Sequence, residues 1–175
     1  MTRLSVLLFI AALAHAADWS AAVEVRHEDN LCVSYQARLD GPMLVVRATL
    51  GAGWHTFAMD NEQRAKEKLA GKPALSMDRN TAIAPMEGLE IVGPWLQSPP
   101  QDFSRPQLRW YSWGYDREAL FAAKVRDSAG AGARLRLRGQ ACTDTICKNV
   151  DVTITLPHTS PSASTIDLKD LVPVR

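Results

Sequence analysis

Between Leu31 and Leu156 the chain breaks into short runs of β-forming residues, bounded by Gly, Pro and Asp. About eight such runs are legible: 31–39, 43–50, 54–58, 89–95, 107–111, 119–125, 133–139 and 150–156. Several alternate apolar and polar residues, which marks a strand with one face wet. Arg134, Arg136 and Arg138 interleaved with Leu135 and Leu137 are the clearest case. Asp40-Gly41-Pro42 reads as the turn between the first two runs. Strands so spaced, without long helices between them, predict an all-β antiparallel sandwich. One helix is expected as an insertion: Asp60 or Asn61 can cap it, 62–69 are helix formers, and Gly71-Lys72-Pro73 ends it.

The two ends read differently. Residues 1–16 have the three parts of a secretory signal: a basic start at Arg3, an apolar run over 4–13, and Ala14-His15-Ala16 for cleavage. The run is too short for a membrane anchor. The expected organisation is therefore a signal peptide at 1–16, one domain over 17–157, and a flexible Ser/Thr/Pro-rich tail over 158–175. The mature protein is expected in the periplasm. The whole chain carries 20 basic and 19 acidic residues, and one of the basic ones is Arg3. That leaves 19 against 19 after cleavage, a balance that argues against nucleic acid as the main partner. No later stretch resembles a membrane span.

The three cysteines carry the chemistry. Cys142 and Cys147 stand where run 133–139 ends and run 150–156 begins, with Thr-Asp-Thr-Ile between them. If the runs form a hairpin, the pair faces across its mouth, where Cα atoms lie about 4.5–5.5 Å apart. That separation suits a disulfide. Chain entropy gives such a bridge only about 2 kcal/mol, against more than about 4 for one closing 100 residues. A close pair on a turn is better suited to exchange than to stapling. No helix follows to lower a thiol pKa, so a passive role is expected, with a partner's thiolate attacking the bond. Asp144 should oppose thiolate formation here and Lys148 should favour it.

Three alternatives stay open on the residues alone. The bridge could be an inert staple in a binding or assembly module. Cys32 could pair with Cys142 across the sheets, though Cys32 reads more simply as a buried apolar residue. Copper could be held by Cys142, Cys147, His55, His27 and Met59, although no Met-rich or His-rich cluster exists and His55 reads as structural. No cofactor and no resident metal are expected. Residues 94–114 form an aromatic, proline-stiffened stretch that is either core packing or a recognition surface.

The segment Gly139-Gln140-Ala141-Cys142-Thr143-Asp144-Thr145-Ile146-Cys147 resembles the cysteine hairpin of the N-terminal periplasmic domain of the DsbD thiol:disulfide interchange family. Gly53-Trp54-His55-Thr56-Phe57 and Trp113-Gly114-Tyr115 match further pieces of that domain in the same order. The resemblance implies an immunoglobulin-like sandwich that relays reducing equivalents through Cys142 and Cys147, its two catalytic residues. It also implies an aromatic cap over the pair, expected within 98–111, with Phe103 the best candidate and Trp110 and Tyr111 as further cap or partner-surface residues. The second cysteine would form the mixed disulfides. The prolines usual after that cysteine are replaced by Lys148-Asn149. Membrane and thioredoxin segments are absent, so the expected partner is a separate periplasmic thioredoxin-like or membrane oxidoreductase.

Overall fold

The structure, a computed structural model, describes residues 19–127, 132–157 and 167–175. In chain order the strands are β1 (Val23–His27), β2 (Asn30–Asp40), β3 (Met43–Leu50), β4 (His55–Phe57), β5 (Ala82–Glu87) and β6 (Leu89–Gln97). They continue with β7 (Gln101–Asp102), β8 (Trp113–Tyr115), β9 (Glu118–Asp127), β10 (Arg134–Cys142), β11 (Cys147–Thr155) and β12 (Val172–Pro173). Among the described residues there is one α-helix, α1 (Asn61–Leu69), which follows β4. One sheet runs β1-β2-β3-β9-β6-β12 and the other β11-β10-β4-β8-β7, with β5 also on β10. All pairings are antiparallel, and the two sheets form an all-β sandwich with one short helix among the described residues.

Alternation decides which faces meet. Val33, Tyr35 and Ala37 of β2, Leu44, Val46 and Ala48 of β3, and Phe121 of β9 turn inward. Leu135 and Leu137 of β10 and Ile154 of β11 do the same from the opposite sheet, and all of these side chains are buried. Arg136 and Arg138 occupy the wet face of β10, where Arg136 makes a two-pronged bond to Asp151. The other face of β3 buries Met43 and Val45 beside Trp19, whose ring the guanidinium groups of Arg38 and Arg47 approach to 4.7 and 4.3 Å.

The helix ends where the sequence says it should: Ala70 is left-handed and Gly71 follows at φ 82°. Asp60 occupies the N-cap without a capping bond. Its buried carboxylate instead accepts from Arg64 Nε, from Gln97 Nε2 and from the backbone N–H of Arg175. Burial alone would raise this carboxyl's pKa, but those bonds outweigh burial and hold it below the ordinary value.

Two expectations need correcting. Residues 107–111 do not form a strand. Pro106 opens a 3-10 turn over Pro106–Leu108, and Arg109 ends it at φ 50°, a conformation no strand allows. The segment expected as a free tail is docked over its last residues. Val172 and Pro173 pair with Gln97 and Leu96, and the N–H of Val174 donates to the Trp95 carbonyl. The edge of β6 supplies the open hydrogen-bonding groups that draw this segment in. Residues 1–18, which carry the signal-peptide reading, and 158–166 lie outside the described residues. Among the described residues no helix is long and apolar enough to cross a membrane.

Candidate functional site

The β10–β11 hairpin sets the cysteines opposite each other, as its register pairs Cys142 with Cys147. The turn closes on itself: the N–H of Thr143 donates to the Ile146 carbonyl, while the Thr143 hydroxyl accepts from the N–H groups of Thr145 and Ile146. Thr143 and Ile146 are thus hydrogen-bonded across the ladder. The next pair down is of the non-hydrogen-bonded kind, whose Cα atoms approach most closely. Here that separation is 4.0 Å and the two sulfurs are joined, which decides against a Cys32–Cys142 bridge. Cys32 is free and buried on β2, and burial pushes its thiol above the ordinary value.

The two sulfurs are not equivalent. Cys142 is 2 % exposed, whereas Cys147 stands exposed at the start of β11. Alternation along β11 sends Lys148 to the opposite face from Cys147, and its charge is felt at Cys32.

Three other stretches of chain close around the pair. From β4, His55 lies beside Cys142 in the sheet. Its ring meets Phe57 edge-on and stacks at a tilt on Phe103, with centroids 5.3 Å apart in both cases. Burial lowers the His55 pKa below its ordinary value, against an upward pull from Asp78 and Asp144.

Phe103 belongs to the segment between β7 and β8, which folds back on itself as a stiff flap. Its N–H donates to the Ser112 carbonyl, that of Ser112 to the Ser104 hydroxyl, and Arg105 and Trp110 bridge across the 3-10 turn. The Arg105 guanidinium reaches Asp144 of the cysteine turn at 3.0 Å, tying flap to hairpin. The flap leaves β8 close beneath β4, because Gly114 packs where any Cβ would overlap the Thr56 carbonyl oxygen.

The last stretch is the loop between α1 and β5, which brings in Asp78. This carboxylate accepts from the Trp110 indole N–H at 2.7 Å and is 7 % exposed. The Asp78 carbonyl accepts from Asn61 Nδ2, and Asn61 Oδ1 in turn accepts from the Trp113 N–H, both within the buried interior. A carboxylate oxygen of Asp78 lies within 4.8 Å of both cysteine sulfurs. The result is a cleft of about 420 Å³ with the disulfide in its wall and Phe103, Trp110, His55 and Asp78 around it.

Of the residues expected at a cap, Phe103 and Trp110 line the cleft, while Tyr111 packs against the main core. The set proposed for copper is dispersed: His27 sets its ring against Trp54, and Met59 packs on the core. Asp78 and Arg105 went unnoticed in the sequence. Asp78 sits in an unpatterned linker, and only the folded loop brings it to the sulfurs.

No protein family model and no curated protein matches this sequence. Among solved structures, the chain is similar to the N-terminal domain of DsbD from Neisseria meningitidis in its reduced form, at 15% identity. The match covers 82% of this chain and 90% of that one, with a TM-score of 0.46. It is also similar to the GAE domain of GGA2p from Saccharomyces cerevisiae, at 7% identity over 79% of this chain and 100% of that one, with a TM-score of 0.40.

Proposed function

We propose that this chain is a periplasmic thiol–disulfide exchange domain of the DsbD N-terminal kind, passing reducing equivalents between a partner oxidoreductase and the Cys142–Cys147 pair. The observation that carries the reading is the asymmetry of the disulfide, with Cys147 exposed and Cys142 buried beside His55. Of the two sulfurs, Cys147 Sγ is the one open to a partner thiolate. Attack there forms a mixed disulfide, breaks the Cys142–Cys147 bond, and leaves the electron pair on Cys142 Sγ, which takes a proton from water. A second partner thiol then cleaves the mixed disulfide. The partner departs oxidised and this chain keeps two thiols. The reverse sequence reoxidises it. Phe103 and the flap restrict which thiolates can enter, so the partner must displace or fit beneath them.

Trapping tests the assignment. Cys142→Ser leaves Cys147 free to bond without a resolving thiol, and should accumulate covalent complexes with a periplasmic thioredoxin-like protein. Cys147→Ser should accumulate few. Equal trapping by both variants would refute the division of roles. Trapping by neither, with a reduction potential below about −300 mV, would identify a structural staple.

A further inference from the structure

The Asp78 carboxylate is buried, held by the Trp110 indole N–H while Asn61 Nδ2 holds the backbone carbonyl of the same residue, and it is set within 4.8 Å of both sulfurs. A negative charge in that position opposes every step that puts charge on sulfur. At such a distance in a half-excluded site, one unit charge is worth about tenfold or more in an equilibrium or a rate.

The charged and titratable groups facing the pair come from each wall of the cleft. His55 stands on β4, Arg105 on the flap, Asp116 after β8, and Asp144 in the cysteine turn. Arg105 is paired with Asp144, and burial disfavours a charge on His55. Lys148 faces away, and Arg79, the next residue after Asp78, lines a separate groove with Glu62 and Arg138. Asp116 is paired with Arg117 and accepts from Gln101 Nε2, which leaves Asp78, the carboxylate against the sulfurs, to set the sign.

We infer that Asp78 is the specificity residue of this site: it withholds the disulfide from anionic small thiolates and keeps the reduced sulfurs in the thiol form. Exchange is then left to partners that bring positive potential to Cys147. The inference rests on the exchange reading above, and it concerns what that site rejects. For a small thiol RSH, a thiolate attacks Cys147 Sγ and the electron pair leaves on Cys142 Sγ. A second thiolate releases RSSR, and two protons from water complete the dithiol. Asp78 repels the entering small thiolate according to that thiol's net charge, a penalty that an anionic thiol carries and one with a compensating ammonium group largely escapes.

The test compares reduction of the oxidised protein by glutathione, whose reactive thiolate has a net charge of about −2, and by cysteamine, whose reactive thiolate is net neutral. Asp78→Asn should speed reduction by glutathione about tenfold and by cysteamine less than about threefold. In the reduced variant, thiolate absorbance at 240 nm should titrate about one unit lower than in the reduced parent. Asp78→Glu, which keeps the charge, should restore the parental preference. Equal acceleration with both thiols would show only a loosened flap and overturn the inference, as would unchanged rates.

If Asp78→Asn does not fold, the parent protein still decides the matter. Raising the salt should speed attack by glutathione and leave cysteamine nearly unchanged, because screening removes only the repulsion. The absence of that difference would overturn the inference. These measurements need no protein partner, so they are read separately from the trapping experiment.

Discussion

Reduction of the Cys142–Cys147 bond is the perturbation whose outcome the structure fixes most closely. The bond joins residues five apart and so closes a ring of about six residues. Loop-closure entropy of about 2.1 + 1.5R ln 6 cal/mol/K gives about 2 kcal/mol of stabilisation at 25 °C. Total stability for a domain of this size is about 5–15 kcal/mol, so the reduced protein should remain folded. Its core supports this, since Leu135, Leu137 and Ile154 hold β10 and β11 to the sandwich without the sulfurs. The melting temperature should fall by about 4–9 °C. Linkage makes the effect reciprocal: folding favours the bond by the same 2 kcal/mol, or about 50 mV of potential. Near-UV circular dichroism and thermal melts, with and without dithiothreitol, measure the first quantity. A Cys142→Ala/Cys147→Ala variant provides the irreversible equivalent. Loss of cooperative melting on reduction, or a cost above about 5 kcal/mol, would refute the reasoning and make the bridge a staple.

Two further outcomes follow from the walls of the cleft. Gly114→Ala should cost about 1–3 kcal/mol by urea denaturation, because the new methyl would push β8 off β4 at the Thr56 carbonyl. It should also speed dithiothreitol reduction by loosening the flap, and a neutral effect on both would contradict the packing. His55 has its pKa lowered from 6.5 by burial, so the unfolded chain binds more protons than the folded one just below that pH. Stability should therefore fall as pH drops through 6.5 and level off only once His55 is charged in the folded state. His55→Gln should flatten that slope between pH 5 and 7 in urea titrations.

The sandwich was legible because its signal is local. Arg134 to Arg138 announce one wet and one dry face in five residues, and α1 is bracketed by its own start and stop signals. The cysteine hairpin was legible for the same reason. What escaped was either short or nonlocal. β8 has a glycine at its centre, and β5 carries Pro85 among alanines, so neither reads as a β-former. Pro106 turned an aromatic run that resembled a strand into the tip of the flap. The docking of residues 167–175 depends on an edge of β6 and on the buried Asp60, neither of which marks the segment itself. Phe103 could be nominated only by resemblance to a family, and Asp78 by nothing at all.

The edge of β10 is shared between two strands, β5 along its first half and β4 at its cysteine end. At the seam, Gln140 takes the backbone N–H of Arg79 on its side-chain oxygen and the Thr56 hydroxyl on its carbonyl. The fork admits the loop that carries Asp78, and it sets a sequence of events for the growing chain. The disulfide joins residues 5 apart. By contrast, the bonds that build its surroundings span 32 residues from Asp78 to Trp110, 39 from Arg105 to Asp144 and 84 from Thr56 to Gln140. Short loops close in about 10–100 ns, whereas long-range β pairing waits on the whole topology. An isolated peptide of the hairpin can therefore oxidise, but it has neither flap nor carboxylate. Its sulfurs should react with any thiol, while the same two atoms become selective only when chain from 55 to 147 has come together.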